Sequence, residues 1–431
     1  MSNFIRHGQD LYCESVPLQH IAEKWGTPCY VYSRASIEHN IDRLEKALAG
    51  HPHHIQYAMK ANSAAGILQL INHRGLGVDT VSGGEIARAL RAGIPAQKIV
   101  FSGVGKTVRE IRYALKKGIG CFNIESEAEF DRLAELAKEM KVVAPFSIRC
   151  NPNVDAKTHP YISTGLKKNK FGVPLEKAEY LYLKSQDIPN LQPIGIDAHI
   201  GSQILIPSPH IEAAQKLLTL VEKLAIDGIK LQHLDIGGGY GIAYGEQDHQ
   251  PDLESFFQPI IAELKKRHLD DLSLMIEPGR AIVGEAGVLL THVEYLKHNG
   301  AKRFCVTDAG MNDLIRPALY DAWMRIEPVH LHPGDGDDVT PFDVVGPVCE
   351  SSDFLGLDRH FPVKAGDILA VFDAGAYGSS MASRYNSRPL PAEILVDGQT
   401  IHVLRQTEEL DDIVSGDCLI DIAPRLDLPT E

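Results

Sequence analysis

The sequence lacks several features that mark common protein classes. Its seven cysteines form no C-x-x-C pair and are odd in number, which predicts neither a disulfide framework nor a zinc ribbon. Basic residues are outnumbered by acidic ones, so the net charge is −14, and the charges are scattered along the chain. A basic surface for nucleic acid or for an anionic membrane is therefore not expected.

Long apolar runs are also missing. No run approaches the length of a membrane span, and the first ten residues, MSNFIRHGQD, have no apolar segment of the kind found in signal peptides. We therefore expect a cytoplasmic protein without a membrane partner. The first predicted strand is not followed by a G-x-G-x-x-G motif, which argues against a dinucleotide-binding fold.

What is present is an ordinary globular composition, 44% hydrophobic and 23% charged, in a chain of 431 residues. This length favours two domains over one core. From residue 54 onward, short β-rich runs alternate with stretches whose apolar residues recur at helical spacing. The candidate strands are 55–60, 77–82, 99–103, 121–125, 145–151, 194–200, 231–236 and 273–278.

Eight strand–helix units in roughly 230 residues predict a (β/α)8 barrel, with an open doubly wound sheet as the alternative. After about residue 284 the chain is β-rich with few long helices, which predicts a second, mostly antiparallel domain. The early segment CYVYS (29–33) has the same character, so we expect it to pair into that domain. The predicted division is a barrel over 35–284 and a β-rich domain made of 1–34 and 285–431.

Polar residues and glycines gather where the predicted barrel strands end. Lys60 ends the first strand, His199 the sixth, a Gly-Gly-Gly run follows the seventh, and Glu277-Pro278-Gly279-Arg280 ends the eighth. The active site of such a barrel is built at the carboxyl ends of its strands, and phosphate commonly binds after strands seven and eight. Each of these features has an ordinary structural explanation when it is considered alone. Those explanations do not predict that all of the features lie at the same end of one barrel.

A lysine, a glycine-lined anion site and a carboxylate in one pocket suit pyridoxal 5′-phosphate. Lys60 would form a Schiff base with its aldehyde. Loops containing Gly238 and Gly239 would hold its phosphate, since glycine lets backbone N–H groups approach an anion. Glu277 would keep the pyridine nitrogen protonated, and His199 would stack on the ring. The alternative is an aldolase-type lysine acting on a sugar, which needs neither a pyridine partner nor a second domain.

With these residues assembled, the sequence resembles the fold-type III pyridoxal 5′-phosphate-dependent decarboxylases over nearly its whole length. The barrel motifs of that family occur in order as YAMKAN, VSGGE, HIGSQ, DIGGGYG and EPGR. Its second-domain motifs occur as DAGMNDLIRPALY, GPVCESSD, DAGAYGSSMASRYNSRP and AEILVDG. EPGR is shared with ornithine and arginine decarboxylases, whereas NDLIRPALY and CESSD point to the members that act on diaminopimelate.

The resemblance implies roles for individual residues around the cofactor. Lys60 would carry the cofactor, His199 would stack on it, and Glu277 would pair with its pyridine nitrogen. The residues implied around the phosphate or the adjoining substrate subsite are Ser202, Gly239, Gly279, Arg280 and Tyr377.

The resemblance also implies how the substrate is held. Arg280, Arg316 and Tyr320 would bind a substrate carboxylate, which suits the two-pronged guanidinium group. Glu350 would take the distal ammonium group. Cys349 would donate a proton to the carbanion and would reach the pocket from a second subunit. The implied assembly is therefore a homodimer whose active sites are shared across the interface. The β-rich domain would complete these active sites.

The implied reaction is the decarboxylation of meso-2,6-diaminopimelate to L-lysine and CO2, the last step of lysine biosynthesis, without a metal. A related decarboxylase of ornithine, lysine or carboxynorspermidine is the nearest alternative, but its substrate would give Arg316 no distal carboxylate. An alanine-type racemase typically has arginine where this chain has Glu277. A regulator that binds the cofactor without catalysis would not need Cys349 and Arg316.

Overall fold

The computed structural model describes residues 3–155, 170–245, 248–332 and 341–420. The chain begins with β1 (Phe4–His7), β2 (Asp10–Cys13), β3 (Val16–Pro17), α1 (Leu18–Trp25), β4 (Cys29–Ser33) and α2 (Arg34–Ala47). Strands β1 to β3 form a small antiparallel sheet of their own, which the sequence pattern did not predict.

The next nine strands build a parallel barrel. They are β5 (His53–Ala58), β6 (Gly77–Thr80), β7 (Ile99–Phe101), β8 (Cys121–Ile124), β9 (Ala144–Asn151), β10 (Val173–Pro174), β11 (Leu191–Asp197), β12 (His233–Asp235) and β13 (Ser273–Ile276). Strand β10 only extends the edge of β9. The other eight pair in a ring that closes where β13 pairs with β5. The predicted (β/α)8 barrel is confirmed, and the open-sheet alternative is wrong.

Helices alternate with the barrel strands. They are α3 (Ala65–His73), α4 (Gly83–Arg91), α5 (Val108–Lys117), α6 (Glu127–Met140), α7 (Leu175–Ser185), α8 (Ser208–Ile226), α9 (Leu253–Lys266) and α10 (Arg280–Val283). In α6 the apolar residues Phe130, Leu133 and Ala137, which recur at helical spacing in the sequence, are buried. The Phe130 ring packs edge-on to Phe146 of β9. None of the helices within the described residues combines the length and apolarity that crossing a bilayer requires.

The start of α6 differs in one detail from the capping box that its sequence predicts, in which Ser126 is followed three residues later by Glu129. Ser126 Oγ accepts a hydrogen bond from the Glu129 backbone N–H at 3.2 Å, as expected. The Glu129 carboxylate, however, accepts hydrogen bonds from Lys106 Nζ at 2.6 Å and from the Glu125 backbone N–H at 3.1 Å. Lys106 is fully buried, and a buried ammonium group requires a counter-charge. Tertiary packing therefore redirects a side chain whose local sequence predicts a helix cap.

Replacing Lys106 with alanine is expected to destabilise the barrel by about 3–5 kcal/mol, because the buried Glu129 carboxylate would lose its ammonium partner. The Nζ hydrogen bonds to Gly103 O and Asn123 O would also be lost. Urea unfolding followed by circular dichroism measures the effect. Lys46→Ala, which removes an exposed ion pair with Glu254, is the control. Equal losses in both variants would contradict the prediction.

The second half of the chain forms another sheet. Its elements are β14 (Gly287–Asn299), β15 (Lys302–Thr307), α11 (Arg316–Tyr320), β16 (Ile326–Pro328), β17 (Phe342–Val345), β18 (Phe354–Arg359), β19 (Ile368–Val371), β20 (Ala392–Asp397), β21 (Thr400–Arg405) and α12 (Leu410–Val414). Strand β4 lies between β14 and β20, so the predicted pairing of CYVYS into this sheet is confirmed. Most pairs are antiparallel, with β15–β17 and β4–β20 as parallel pairs. The predicted antiparallel character is confirmed.

Candidate active site

A cavity of about 660 Å³ lies where the barrel strands end, and residues of the second sheet's loops close one side of it. Most of the predicted site residues line this cavity, namely Lys60, His199, Ser202, Glu277, Gly279, Arg280, Arg316, Tyr320 and Tyr377. Residues separated by more than 300 positions in the chain therefore meet in one space, as expected for the carboxyl end of a barrel.

Lys60 lies just beyond the first barrel strand rather than within it. The prediction that the strand extends to residue 60 is wrong, because β5 ends at Ala58 and Lys60 belongs to a 3₁₀ turn, Met59–Ala61. The Ala61 carbonyl accepts hydrogen bonds from the Tyr377 backbone N–H at 2.8 Å and from Ser380 Oγ at 3.0 Å. The second domain thus holds the turn that carries the lysine, which no local pattern could indicate.

The charge of Lys60 depends on two carboxyl groups. Its Nζ lies 3.2 Å from Asp79 Oδ2. Burial is the largest influence and disfavours the ammonium form, but the combined negative charge of Asp79 and Glu277 outweighs it and raises the pKa of Lys60. Asp79 was missed in the sequence, where the only signal was an acidic residue inside the buried strand GVDT.

His199 presents a neutral ring to the cavity. The Gly238 backbone N–H donates to its Nδ1 at 3.1 Å, which assigns the ring proton to Nε2. Burial, and then the positive charges of Lys60 and Arg149, hold the pKa of His199 well below its usual value. A neutral flat ring beside Lys60 is suited to stacking on an aromatic cofactor.

Glu277 is buried at the base of the cavity, with Oε2 4.0 Å from His199 Nδ1. Its Oε1 accepts from no N–H or hydroxyl group of the described residues, and its side chain is hydrogen-bonded to the carboxyl group of Asp235. Buried carboxyl oxygens are normally satisfied, so this one calls for a donor from the cavity. A protonated pyridine nitrogen is such a donor, and the residues present therefore fit pyridoxal 5′-phosphate.

Two further acids lie next to Glu277 and were missed in the sequence. Asp197 is the last residue of β11 and Asp235 is the last residue of β12. One carboxylate oxygen from each of Asp197, Asp235 and Glu277 lies within 4.8 Å of the other two. Among the described residues, no other set of three or more acidic, histidine or cysteine side chains lies close enough together to bind one metal ion. Burial is the main cause that raises the pKa of all three, that of Asp235 to about 7.

The predicted glycines bring the loops of the site close together. A Cβ on Gly238 would lie 2.0 Å from the Glu277 carbonyl oxygen, and one on Gly279 would lie 2.9 Å from Ala61 Cβ. Gly239 has φ +90° and would meet the Gly201 carbonyl oxygen at 2.1 Å. Gly279 lines the cavity, whereas Gly238 and Gly239 lie beside it. Their contact with a phosphate stays a prediction.

Arg280 and Arg316 are buried guanidinium groups in the cavity wall. Arg280 donates to Ser202 Oγ at 3.2 Å and to the Tyr244 hydroxyl. Arg316 donates to Met324 Sδ at 3.4 Å, and its guanidinium carbon lies 4.5 Å from the Tyr244 ring centroid. Within the described residues, neither arginine has a carboxylate within 4.0 Å. Two buried cations without a counter-ion predict an anionic ligand.

The cavity also contains residues that sequence reasoning did not single out. They include Phe171, Gln203, Tyr244, Asp248, Trp323 and Met381. Tyr244 contacts both arginines, and its only sequence signal was an aromatic residue in the glycine-rich segment after β12. Loop residues of this kind depend on how the loop folds, so their role appears only in three dimensions.

Cys349 and Glu350 are not brought into this cavity. Both are exposed, and they bond to a neighbouring loop of the same chain. The Cys349 backbone N–H donates to Asn386 Oδ1 at 2.9 Å, and Glu350 accepts from the Tyr385 hydroxyl. One chain therefore does not supply either side chain to its own cavity.

Comparisons with known proteins agree with this geometry. The family model described as pyridoxal-dependent decarboxylase, pyridoxal binding domain, matches residues 34–284. The diaminopimelate decarboxylase of Pseudomonas aeruginosa is 49% identical over 422 residues, covering 97% of this chain and 100% of that protein. That of Vibrio cholerae is 50% identical over 408 residues, covering 95% of this chain and 96% of that protein.

A solved structure is similar along nearly all of its length. The crystal structure of diaminopimelate decarboxylase from Helicobacter pylori, complexed with L-lysine, has a TM-score of 0.87 and 44% identity, and the match covers 92% of this chain and 98% of that one. Identity and coverage of this extent include both the barrel and the second sheet. The chain therefore belongs to the diaminopimelate decarboxylase family of pyridoxal-dependent decarboxylases.

Proposed function

We propose that this protein catalyses the pyridoxal 5′-phosphate-dependent decarboxylation of meso-2,6-diaminopimelate to L-lysine and CO2, the last step of lysine biosynthesis. The observation that carries the substrate assignment is the pair of buried arginines, Arg280 and Arg316, in the same cavity as Lys60. A substrate with two carboxylates can lose one and leave the other bound to these guanidinium groups. Relatives with about half of the sequence in common carry this enzyme's name.

The chain's residues suit the cofactor in three respects. Lys60 Nζ would bond to its aldehyde carbon, His199 would cover one face of its ring, and Glu277 Oε1 would accept a hydrogen bond from its pyridine nitrogen. When bound, pyridoxal 5′-phosphate supplies an electron-withdrawing ring that takes up the electron pair left by departing CO2. The residues proposed around its phosphate and the adjoining substrate subsite are Ser202, Gly238, Gly239, Gly279, Arg280 and Tyr377.

Side chains of this protein then have distinct tasks. Lys60 must give up a proton before its amine can attack a carbonyl carbon, and Asp79 Oδ2 at 3.2 Å is placed to accept it. Arg280, Arg316 and Tyr320 would bind the carboxylate that stays in the product, because binding the departing carboxylate as an anion would oppose its loss.

Two residues would act from a second subunit. The carbon that loses CO2 gains one proton, which Cys349 Sγ would donate, and Glu350 would hold the distal ammonium group. We propose a homodimer in which the barrel, 35–284, holds the cofactor and the β-rich part, 1–34 and 285–431, completes the partner's site. The exposed position of both side chains outside their own cavity supports this arrangement.

The alternatives account less well for the cavity. A decarboxylase of ornithine, lysine or carboxynorspermidine would leave the buried Arg316 without an anion to bind. An alanine-type racemase would not need the acidic Glu277 with its unpaired oxygen. A regulator that only binds the cofactor would not need two arginines without counter-ions in the cavity wall.

The substrate is tested by CO2 and lysine release from purified protein supplied with cofactor and meso-diaminopimelate, ornithine, lysine or arginine in parallel. We expect lysine from diaminopimelate alone. Arg316→Met should lower kcat/KM for diaminopimelate by roughly 10²-fold, mainly by raising KM, because a charged hydrogen-bonded contact is lost. Arg325→Met, which changes an arginine outside the cavity, is the control. Turnover confined to the other amino acids would overturn the assignment.

A further inference from the structure

The acids beside Glu277 are aligned by the barrel itself. Asp197 and Asp235 are direct partners in the parallel pair β11–β12, so they point to the same side of the sheet. Asp235 is also the partner of Met275 on β13, which places Glu277, two residues further, on that side as well. The carboxylate oxygens of the three residues lie within 4.8 Å of one another because of the strand register and not because of a flexible loop.

All three carboxyl groups are shielded from water. Asp197 and Asp235 are each 1% exposed, and Glu277 is 4% exposed. Asp197 Oδ1, Asp235 Oδ2 and Glu277 Oε1 accept from no N–H or hydroxyl group of the described residues, and the carboxyl groups of Asp235 and Glu277 are hydrogen-bonded to each other. Ionised oxygens in this position are costly, whereas a protonated carboxyl can donate a hydrogen bond to an ionised neighbour.

The surrounding cations are already occupied. The charged groups packed around the three acids are Lys60, Asp79, Glu125 and Arg149. Lys60 pairs with Asp79 at 3.2 Å, and Arg149 pairs with Glu125 at 3.2 Å. The described chain therefore offers no unshared cation to this group. The other titratable neighbours are neutral at pH 7, namely Cys121, Cys150, Tyr240 and His199.

We propose that Asp197 and Asp235 share one proton and act together as a single negative charge beside Glu277, which leaves Glu277 ionised against the pyridinium nitrogen of the cofactor. Glu277 can pair with a pyridinium only as a carboxylate, so the proton that this crowded group must retain sits on the other two acids. Asp197 and Asp235 are thus positioning residues, and their role rests on the proposed function.

The first test follows the protonation of the cofactor ring. Cofactor labelled with ¹⁵N in the pyridine ring is bound to wild type, Asp197→Asn, Asp235→Asn and the double variant. Its resonance is recorded from about pH 5 to 7, where the wild-type pair keeps its proton. Replacing either acid with asparagine leaves one negative charge on the pair. The wild-type pair with its shared proton carries the same charge, so both single variants should resemble wild type. The double variant removes the charge and should lower the pKa of the ring nitrogen by about one unit or more.

Two outcomes of this titration overturn the proposal. Equal and additive losses in the single variants would show that the pair carries two charges. No shift in the double variant would show that it carries none. At position 235, asparagine keeps an oxygen that can accept from the Gly237 backbone N–H, now bonded to Asp235 Oδ1 at 2.8 Å, so the loop should be preserved.

The second test uses the apoprotein and is independent of the cofactor. Acids whose pKa is raised by folding stabilise the protein while protonated, so this stability is complete below the unfolded value of about 4 and is lost as pH rises towards about 7. Between about pH 5 and 8, the thermal midpoint of wild type should fall more than that of Asp197→Asn. Asp227→Asn, on the surface, should follow wild type.

If the thermal midpoints of Asp197→Asn and wild type change with pH in the same way, the proposal of a shared proton is overturned. A metal ion bound stoichiometrically by wild type and absent from Asp197→Asn would also overturn it. Wild type could instead fail to bind pyridoxal 5′-phosphate while the thermal midpoints of the two apoproteins still differ in their pH dependence. That result would overturn the proposed function and the pairing of Glu277 with a cofactor ring. The two failures are therefore distinguishable.

Discussion

Lys60→Ala is expected to lower turnover of diaminopimelate by at least about 10³-fold, because the amine that would bond to the cofactor is removed. The fold should survive. Lys60 lies in a short turn whose backbone is held by Tyr377 and Ser380, and its side chain is 37% exposed. The loss should therefore appear in kcat and in cofactor binding. The thermal midpoint of the apoprotein should also fall, because the buried Asp79 carboxylate loses its ammonium partner.

Borohydride reduction followed by peptide mass spectrometry locates the bond between protein and cofactor. In wild type the reduced adduct should be found on the peptide containing Lys60, and in Lys60→Ala it should be absent. Lys117→Ala, at the exposed end of α5, is the control and should match wild type. An adduct on another lysine, or turnover that survives in Lys60→Ala, would contradict the role proposed for this residue.

Cys349→Ala is expected to retain the cofactor while kcat falls by about 10²- to 10⁴-fold, the range expected when a general acid is lost. The structure adds a sharper consequence. Because Cys349 lies outside the cavity that contains Lys60 of the same chain, a subunit with either substitution should still contribute the other residue to a shared site.

Mixing the two inactive variants tests this arrangement. If sites are shared across a dimer, equal amounts of Lys60→Ala and Cys349→Ala should recover about a quarter of wild-type turnover after subunit exchange, since half of the dimers are mixed and each has one intact site of two. Cys418→Ala, which changes the other exposed cysteine, should be fully active alone. No recovery, with subunit exchange verified by a tag, would indicate that Cys349 does not act in a partner's site.

Much of the barrel could be predicted because its strands carry a strong local signal. Strands buried on both sides have short apolar runs, so all eight were located to within a few residues. Errors arose at the ends, as at Lys60, where a turn stabilised by the second domain replaced the last strand residues. The small sheet β1–β3 was missed because its strands have only two to four residues.

The sequence by itself determined the alternation of strands and helices and the change to β-rich structure after residue 284. It also determined which glycines, lysine, histidine and glutamate lie near the carboxyl ends of the barrel strands. Only the tertiary structure decided that β13 closes on β5, that Asp79 faces Lys60, that Asp197 and Asp235 adjoin Glu277, and that Cys349 lies outside its own cavity. The physical reason is the distance along the chain over which each kind of interaction acts. Periodicity and turn chemistry act over a few residues, whereas these contacts depend on strand register and packing between segments far apart in the chain.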